Sequence, residues 1–166
     1  MRSIAISLAV LCALGLAGCD RKPKEDKTVT INSPDGKVTI SGNGEKFTMH
    51  AHDGSSTVEI NGAGTSVKMP DYAPLFPGAK VLSSVLGNGS NGTGGMVSFS
   101  TSASPQDVID FYKAKAKESG FEDAMSMNTG GTLMYAANAT GGSKSMQITA
   151  TKDDKGTNAQ VVWSVK

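Results

Sequence analysis

The amino-acid sequence predicts an α+β fold that is mostly β: an N-terminal β-meander or short solenoid-like run of repeats, then an antiparallel sheet with one helix packed on it. Three observations carry this expectation. Apolar–polar–apolar triplets recur along residues 28–69. Asn-Gly and Asp-Gly pairs, which favour tight turns, lie between them. One later segment, from Ser104 to Gly120, holds helix start, stripe and stop signals in order.

The triplets are Val29-Thr30-Ile31, Val38-Thr39-Ile40, Phe47-Thr48-Met49, Val58-Glu59-Ile60 and Val67-Lys68-Met69. Alternation with period two puts both apolar residues of a triplet on one face of a strand. The spacing of about ten residues suits short strands joined by turns. Each unit offers few apolar residues, so this β-repeat region, 28–69, needs a partner surface. Pro70-Asp71-Tyr72-Ala73-Pro74-Leu75-Phe76-Pro77 then interrupts regular structure, because each proline fixes φ and lacks a backbone donor. Residues 70–79 therefore read as a linker, with Tyr72, Leu75 and Phe76 pinning it to the second region.

Residues 80–166 read as a small α+β domain. Lys80–Leu86 and Met96–Thr101 are expected strands, with Gly87–Gly95 a flexible loop between them. Ser104 is the expected N-cap, Pro105 the first helical residue, and Asp107 an acid in the first turn. Val108, Phe111, Tyr112 and Ala116 form the buried stripe, and Gly120 closes the helix. Phe121 is expected to fold back onto it. Strands are expected at Thr132–Ala137, Ser145–Lys152 and Gln160–Val165, the last two joined by the turn Asp153-Asp154-Lys155-Gly156.

The N-terminus carries an address. Arg2 precedes an apolar run, Ile4 to Leu16, that is too short to cross a bilayer comfortably, which takes roughly 20 apolar residues. It fits a secretory signal covering residues 1–18. Leu16-Ala17-Gly18-Cys19 resembles the bacterial lipobox at every position. That resemblance implies cleavage before Cys19, diacylglyceryl and acyl modification of Cys19, and anchoring in a lipid bilayer through those chains. Asp20 resembles the sorting signal that retains such lipoproteins at the inner membrane, on its periplasmic face. Residues 19–27 then form a lipidated, solvated tether rich in charge. Cys12 is lost with the signal, so the processed chain would hold no free thiol and no disulfide.

The second region resembles a small α+β module of bacterial envelope proteins without assigned activity. The matching residues are Pro77-Gly78-Ala79-Lys80-Val81, Phe99-Ser100-Thr101, Ser104-Pro105-Gln106-Asp107-Val108-Ile109-Asp110-Phe111-Tyr112 and Ser119-Gly120-Phe121. These motifs are structural and bring no catalytic residue with them.

Composition narrows the function. Lys and Arg number 16 against 15 Asp and Glu. Loss of Arg2 would balance them, so the basic surplus of a nucleic-acid binder is absent and no nucleic-acid partner is expected. No Gly-x-Ser-x-Gly elbow accompanies the two histidines, and the acids sit mostly in turns and caps, so no catalytic residue and no enzyme activity are expected. The glycine-rich run 87–95 lacks a phosphate-cradle ending. His50, His52 and Asp53 are weak metal suspects, since a closed site needs four ligands. The methionines suit soft ions in principle, but gap-filling is the expected role. No cofactor is expected. The reading is a membrane-anchored periplasmic lipoprotein, a non-enzymatic binding or interaction module with an envelope protein partner. A small-molecule or metal-binding module using His50, His52 and Asp53 is the alternative.

Overall fold

A computed structural model describes residues 27–33, 36–43, 45–51 and 55–166, with 31–33 and 36–38 described by their backbone. The elements in order are β1 (Lys27–Ser33), β2 (Gly36–Gly42), β3 (Lys46–Ala51), β4 (Ser56–Asn61), β5 (Lys80–Gly89), β6 (Gly92–Thr101), α1 (Pro105–Glu118), β7 (Phe121–Thr129), β8 (Thr132–Ala139), a 3-10 turn at Thr140–Gly142, β9 (Lys144–Asp153) and β10 (Gly156–Val165). All ten strands form one antiparallel sheet in the order β1-β2-β3-β4-β5-β6-β10-β9-β8-β7. The fold is α+β and mostly β, as the sequence predicts, and the N-terminal repeats form a meander. Pairing of β4 with β5, from Ser56↔Gly89 to Asn61↔Ser84, joins that meander to the rest of the sheet.

Three expectations are corrected. Val67-Lys68-Met69 is not a strand. β4 already pairs with β3 on one side and β5 on the other, so no edge of β4 remains for a fifth unit to follow it. Val67 and Met69 instead pack, half-buried, against the core. Gly87–Gly95 is not a loose loop. β5 and β6 continue through it as a hairpin, Gly87↔Gly94 and Gly89↔Gly92 paired across the Ser90-Asn91 turn. Finally, the segment after the helix is a full strand. Phe121 is buried, its ring 4.9 Å from that of Tyr72, and the remainder of β7 is an exposed edge, where only Met125-Ser126-Met127 alternates apolar with polar.

The helix forms where its signals lie. The Ser104 hydroxyl accepts from the Asp107 backbone N–H at 3.2 Å, and an Asp107 carboxylate oxygen accepts from the Ser104 backbone N–H at 3.1 Å. This capping box satisfies two donors that a helix start leaves unpaired. The Asp107 carboxyl is held below the usual carboxylate range by the Ser104 hydroxyl, then by the Ser104 backbone. Its benefit is present at neutral pH and fades as acid protonates it. Val108, Ile109, Tyr112 and Ala116 are buried, and Gly120 takes φ 72° after the last turn.

The core lies between α1 and the face of β8, β9, β10 and β6. Register aligns it in rows across the strands: Val97, Val161, Ile148 and Tyr135 in one, Phe99, Ala159, Ala150 and Leu133 in the next. All are buried except half-buried Leu133. The linker is fastened as expected. Tyr72 donates to the Ser164 carbonyl at 3.1 Å, and Tyr112 donates to the Pro74 carbonyl at 2.8 Å. Phe76 packs edge-on to Phe111, 5.2 Å between centroids.

Trp163 occupies the third row, between Gly95 and Met146. A Cβ on Gly95 would run into the Trp163 ring and sit 2.9 Å from Leu86 Cδ2. Glycine is needed here for space, since its φ is not positive. Gly95→Ala should therefore destabilise the protein by about 1–3 kcal/mol through overpacking. Chemical denaturation followed by Trp163 fluorescence measures this, and unchanged stability would show that the ring has another resting place.

Candidate functional site

The apolar residues of the N-terminal meander do not join this core. Pairing carries parity across the sheet: Val29↔Ile40, Ile40↔Met49, Met49↔Val58, Val58↔Gly87, Gly87↔Gly94 and Gly94↔Ser164. Ser164 follows buried Trp163 along β10, so it and the whole series point away from the helix. The next row over, Phe47↔Ile60, Ile60↔Val85, Val85↔Met96 and Met96↔Val162, does the same. The result is a continuous apolar surface across β1–β6 and β10. Val29 is 55% exposed, Phe47 41%, Ile60 38% and Val162 39%. Monomeric soluble proteins rarely leave such contiguous patches open without a use for them.

On β1–β4 the helix side is polar. Lys46 and Glu59 form an ion pair at 2.9 Å, Thr28 and Ser41 hydroxyls meet at 3.3 Å, and Thr57 Oγ1 lies 3.3 Å from His50 Nδ1. The Glu59 carboxyl is held below its usual range by the hydrogen bond from Lys46 and then by that from Asn61. It stays charged at neutral pH and gives up its partners only in acid. Asn61 is buried and donates to Glu59 at 2.9 Å and to Ser84 Oγ at 3.3 Å.

At the centre of the apolar face the glycine ladder makes a groove. Without side chains at Gly87, Gly89, Gly92 and Gly94, the surface sinks between Val58 on β4 and Val85, Met96 and Val162 on β5, β6 and β10. The hollow is broad and open, about 650 Å³, and mostly apolar in lining. The groove thus uses the stretch that the sequence reads as a loose loop. Its signal was present as paired glycines within two alternating segments, but only the strand register shows which face they leave bare.

The layer beneath the helix is filled instead. Tyr112 and Tyr135 occupy it, both fully buried. The Tyr135 hydroxyl donates to Asp123 Oδ1 at 2.6 Å. Burial, then the adjacent carboxylate, pushes the Tyr135 phenol far above its ordinary value, and burial does the same for Tyr112. Both remain neutral hydrogen-bond donors at physiological pH.

Of the residues singled out in the sequence, His50 lies exposed on the polar side of β3. His52 and Asp53 lie outside the described residues, as do Cys19 and Asp20. Among the described residues, no three His, Cys, Asp or Glu side chains gather as a metal group. No helix among them is long and apolar enough to cross a membrane.

A family model described as START domain-like matches residues 81–159, a little under half of the chain. The match runs from the start of β5 into β10 and fits a small α+β module: strands, one packed helix, and the strands after it. Comparison with curated proteins and with solved structures returned no significant match.

A Cβ on Gly87 would meet only the Gly94 carbonyl oxygen, at 3.9 Å. Gly87→Val should therefore fill the groove without strain and raise stability by about 0.5–1 kcal/mol, because a β-branched residue replaces glycine within a strand. Thermal unfolding checks this, and a loss of stability would mean the groove floor is already occupied.

Proposed function

We propose that this chain is a lipid-anchored, non-enzymatic module of the bacterial envelope that offers the uncovered apolar face of its sheet to an envelope protein partner. The observation that carries the reading is the face itself: apolar residues from seven adjoining strands, aligned by register and left without a cover among the described residues. Burial of apolar surface gives roughly 25 cal/mol per Å², so a partner seated on this face would gain much of its affinity from that contact. The START domain-like match supports a small binding-type module over residues 81–159.

The lipobox residues support the address. Acyl chains on Cys19 would hold the molecule at the bilayer, and Asp20 favours the periplasmic face of the inner membrane. Only the short tether to Lys27 separates Cys19 from β1, the edge strand of the apolar face. Eight residues reach at most about 27 Å when fully extended. The face would thus be kept within a membrane-proximal layer, where a membrane-bound partner is at high local concentration.

Expression of the full chain in a bacterium with radiolabelled palmitate tests this reading. The expected result is label on the chain and recovery with membranes, both lost in Cys19→Ser. Unlabelled, soluble wild-type protein would overturn the anchor. With the anchor intact, Ile60→Lys should leave folding unchanged and abolish the partner cross-links formed by the wild-type chain. Equal cross-linking would place the partner elsewhere.

A further inference from the structure

At the far edge of the sheet lies a group of side chains that the apolar groove does not use. β7 pairs with β8 so that Met127 stands opposite Met134 and Met125 opposite Ala136. Between them Ser126 stands opposite Tyr135, whose ring is buried on the helix side. Met125, Met127 and Met134 therefore share the opposite face.

Their spacing is close. Directly paired residues hold their Cβ atoms about 5 Å apart, and diagonal ones about 7–8 Å. Residues two apart on a strand are about 6.7 Å apart. Three unbranched thioether stems, each with three rotatable bonds, can close a triangle of that size over one point. Met125 and Met127 are 40% and 45% exposed, so core packing does not account for them. Exposed apolar side chains on an edge strand invite unwanted pairing, and natural edges usually carry charge instead.

We propose that Met125, Met127 and Met134 form a binding site for a single soft monovalent metal ion, copper(I) in the cell, with silver(I) as its redox-stable surrogate. Thioether sulfur is a neutral, soft donor that selects copper(I) over zinc or magnesium. Neighbouring positions on this face, Thr132, Ala136, Gln147 and Thr149, carry no charge, and the nearby charged one is the acid Glu122 opposite Asn138, so no cation opposes the incoming ion. Three neutral donors leave the ion's single positive charge uncompensated but at the exposed edge, where water screens it. Because thioethers do not titrate, the affinity should be flat between about pH 5 and pH 7.5, a range in which a histidine site would weaken as imidazole takes up a proton. This site uses different residues from the apolar groove and stands or falls apart from it.

The test is titration of the full chain, with Cys12 and Cys19 blocked by alkylation, using silver(I) and, under anaerobic reducing conditions, copper(I) in competition with a chromophoric chelator. The expected result is one equivalent bound, a pH-independent affinity, and a raised melting temperature, since binding to the native state stabilises it. Met127→Leu should lower the affinity about tenfold or more, at or above the scale seen when even outer-shell support of a metal ligand is lost. Leucine keeps the volume, so unfolding does not confuse the result. Met125→Leu and Met134→Leu should act alike, while Met96→Leu and His50→Ala should leave binding unchanged. Unaltered affinity in Met127→Leu, or an affinity that falls in acid together with sensitivity to His50→Ala, would overturn the proposal.

Discussion

One helix cannot cover ten strands, and that mismatch governs this molecule. α1 has 14 residues, about 21 Å at 1.5 Å per residue. Ten strands spaced about 4.8 Å apart make a sheet roughly 43 Å wide. The helix packs on β7–β10, and Phe76 of the linker extends the cover to Phe99 on β6. Everything beyond must either be polar on both faces or leave apolar surface in the open. The meander does the latter, and it does so on the face the helix does not occupy.

The covered part is held in place by contacts that tie distant segments together. Tyr72 reaches Ser164 and Tyr112 reaches Pro74, so the proline-rich linker is stitched to both sheet and helix. Trp163 needs the bare Gly95 opposite it. The same glycine-rich hairpin therefore serves both faces: Gly95 admits the tryptophan on the helix side, while Gly87 and Gly94 open the groove on the other. A strand position without a side chain weakens the sheet locally, and here the glycines of the paired strands coincide with a close approach or a hollow.

Much of the architecture was legible in the sequence. The capping box at Ser104, the stripe through Tyr112 and Ala116, and the four alternating triplets before Asn61 each point to the element they form. What local chemistry could not carry was the outcome of pairing. Val67-Lys68-Met69 has the same alternation as its neighbours, but β4 before it has both edges taken. β7 alternates only at Met125-Ser126-Met127 and completes a strand because β8 offers it an edge to pair with. The glycines at 87–95 look like slack until register sets them opposite one another. The candidate site has the same origin: period two predicts that Phe47 and Met49 share a face, but only the chain of partners through β4, β5 and β6 to β10 shows that this face lies opposite the helix.

The central claim is that the face across β1–β6 is open in the isolated chain and covered in the envelope. Hydroxyl-radical footprinting of the purified chain and of the same chain in native membranes tests it directly. Phe47, Met49 and Met96 report the apolar face, and exposed His50 reports the polar side of the same strands. The account predicts ready labelling of all four in the purified chain and, in membranes, protection of Phe47, Met49 and Met96 with His50 still labelled. Equal labelling of the three apolar-face residues in both preparations would contradict it.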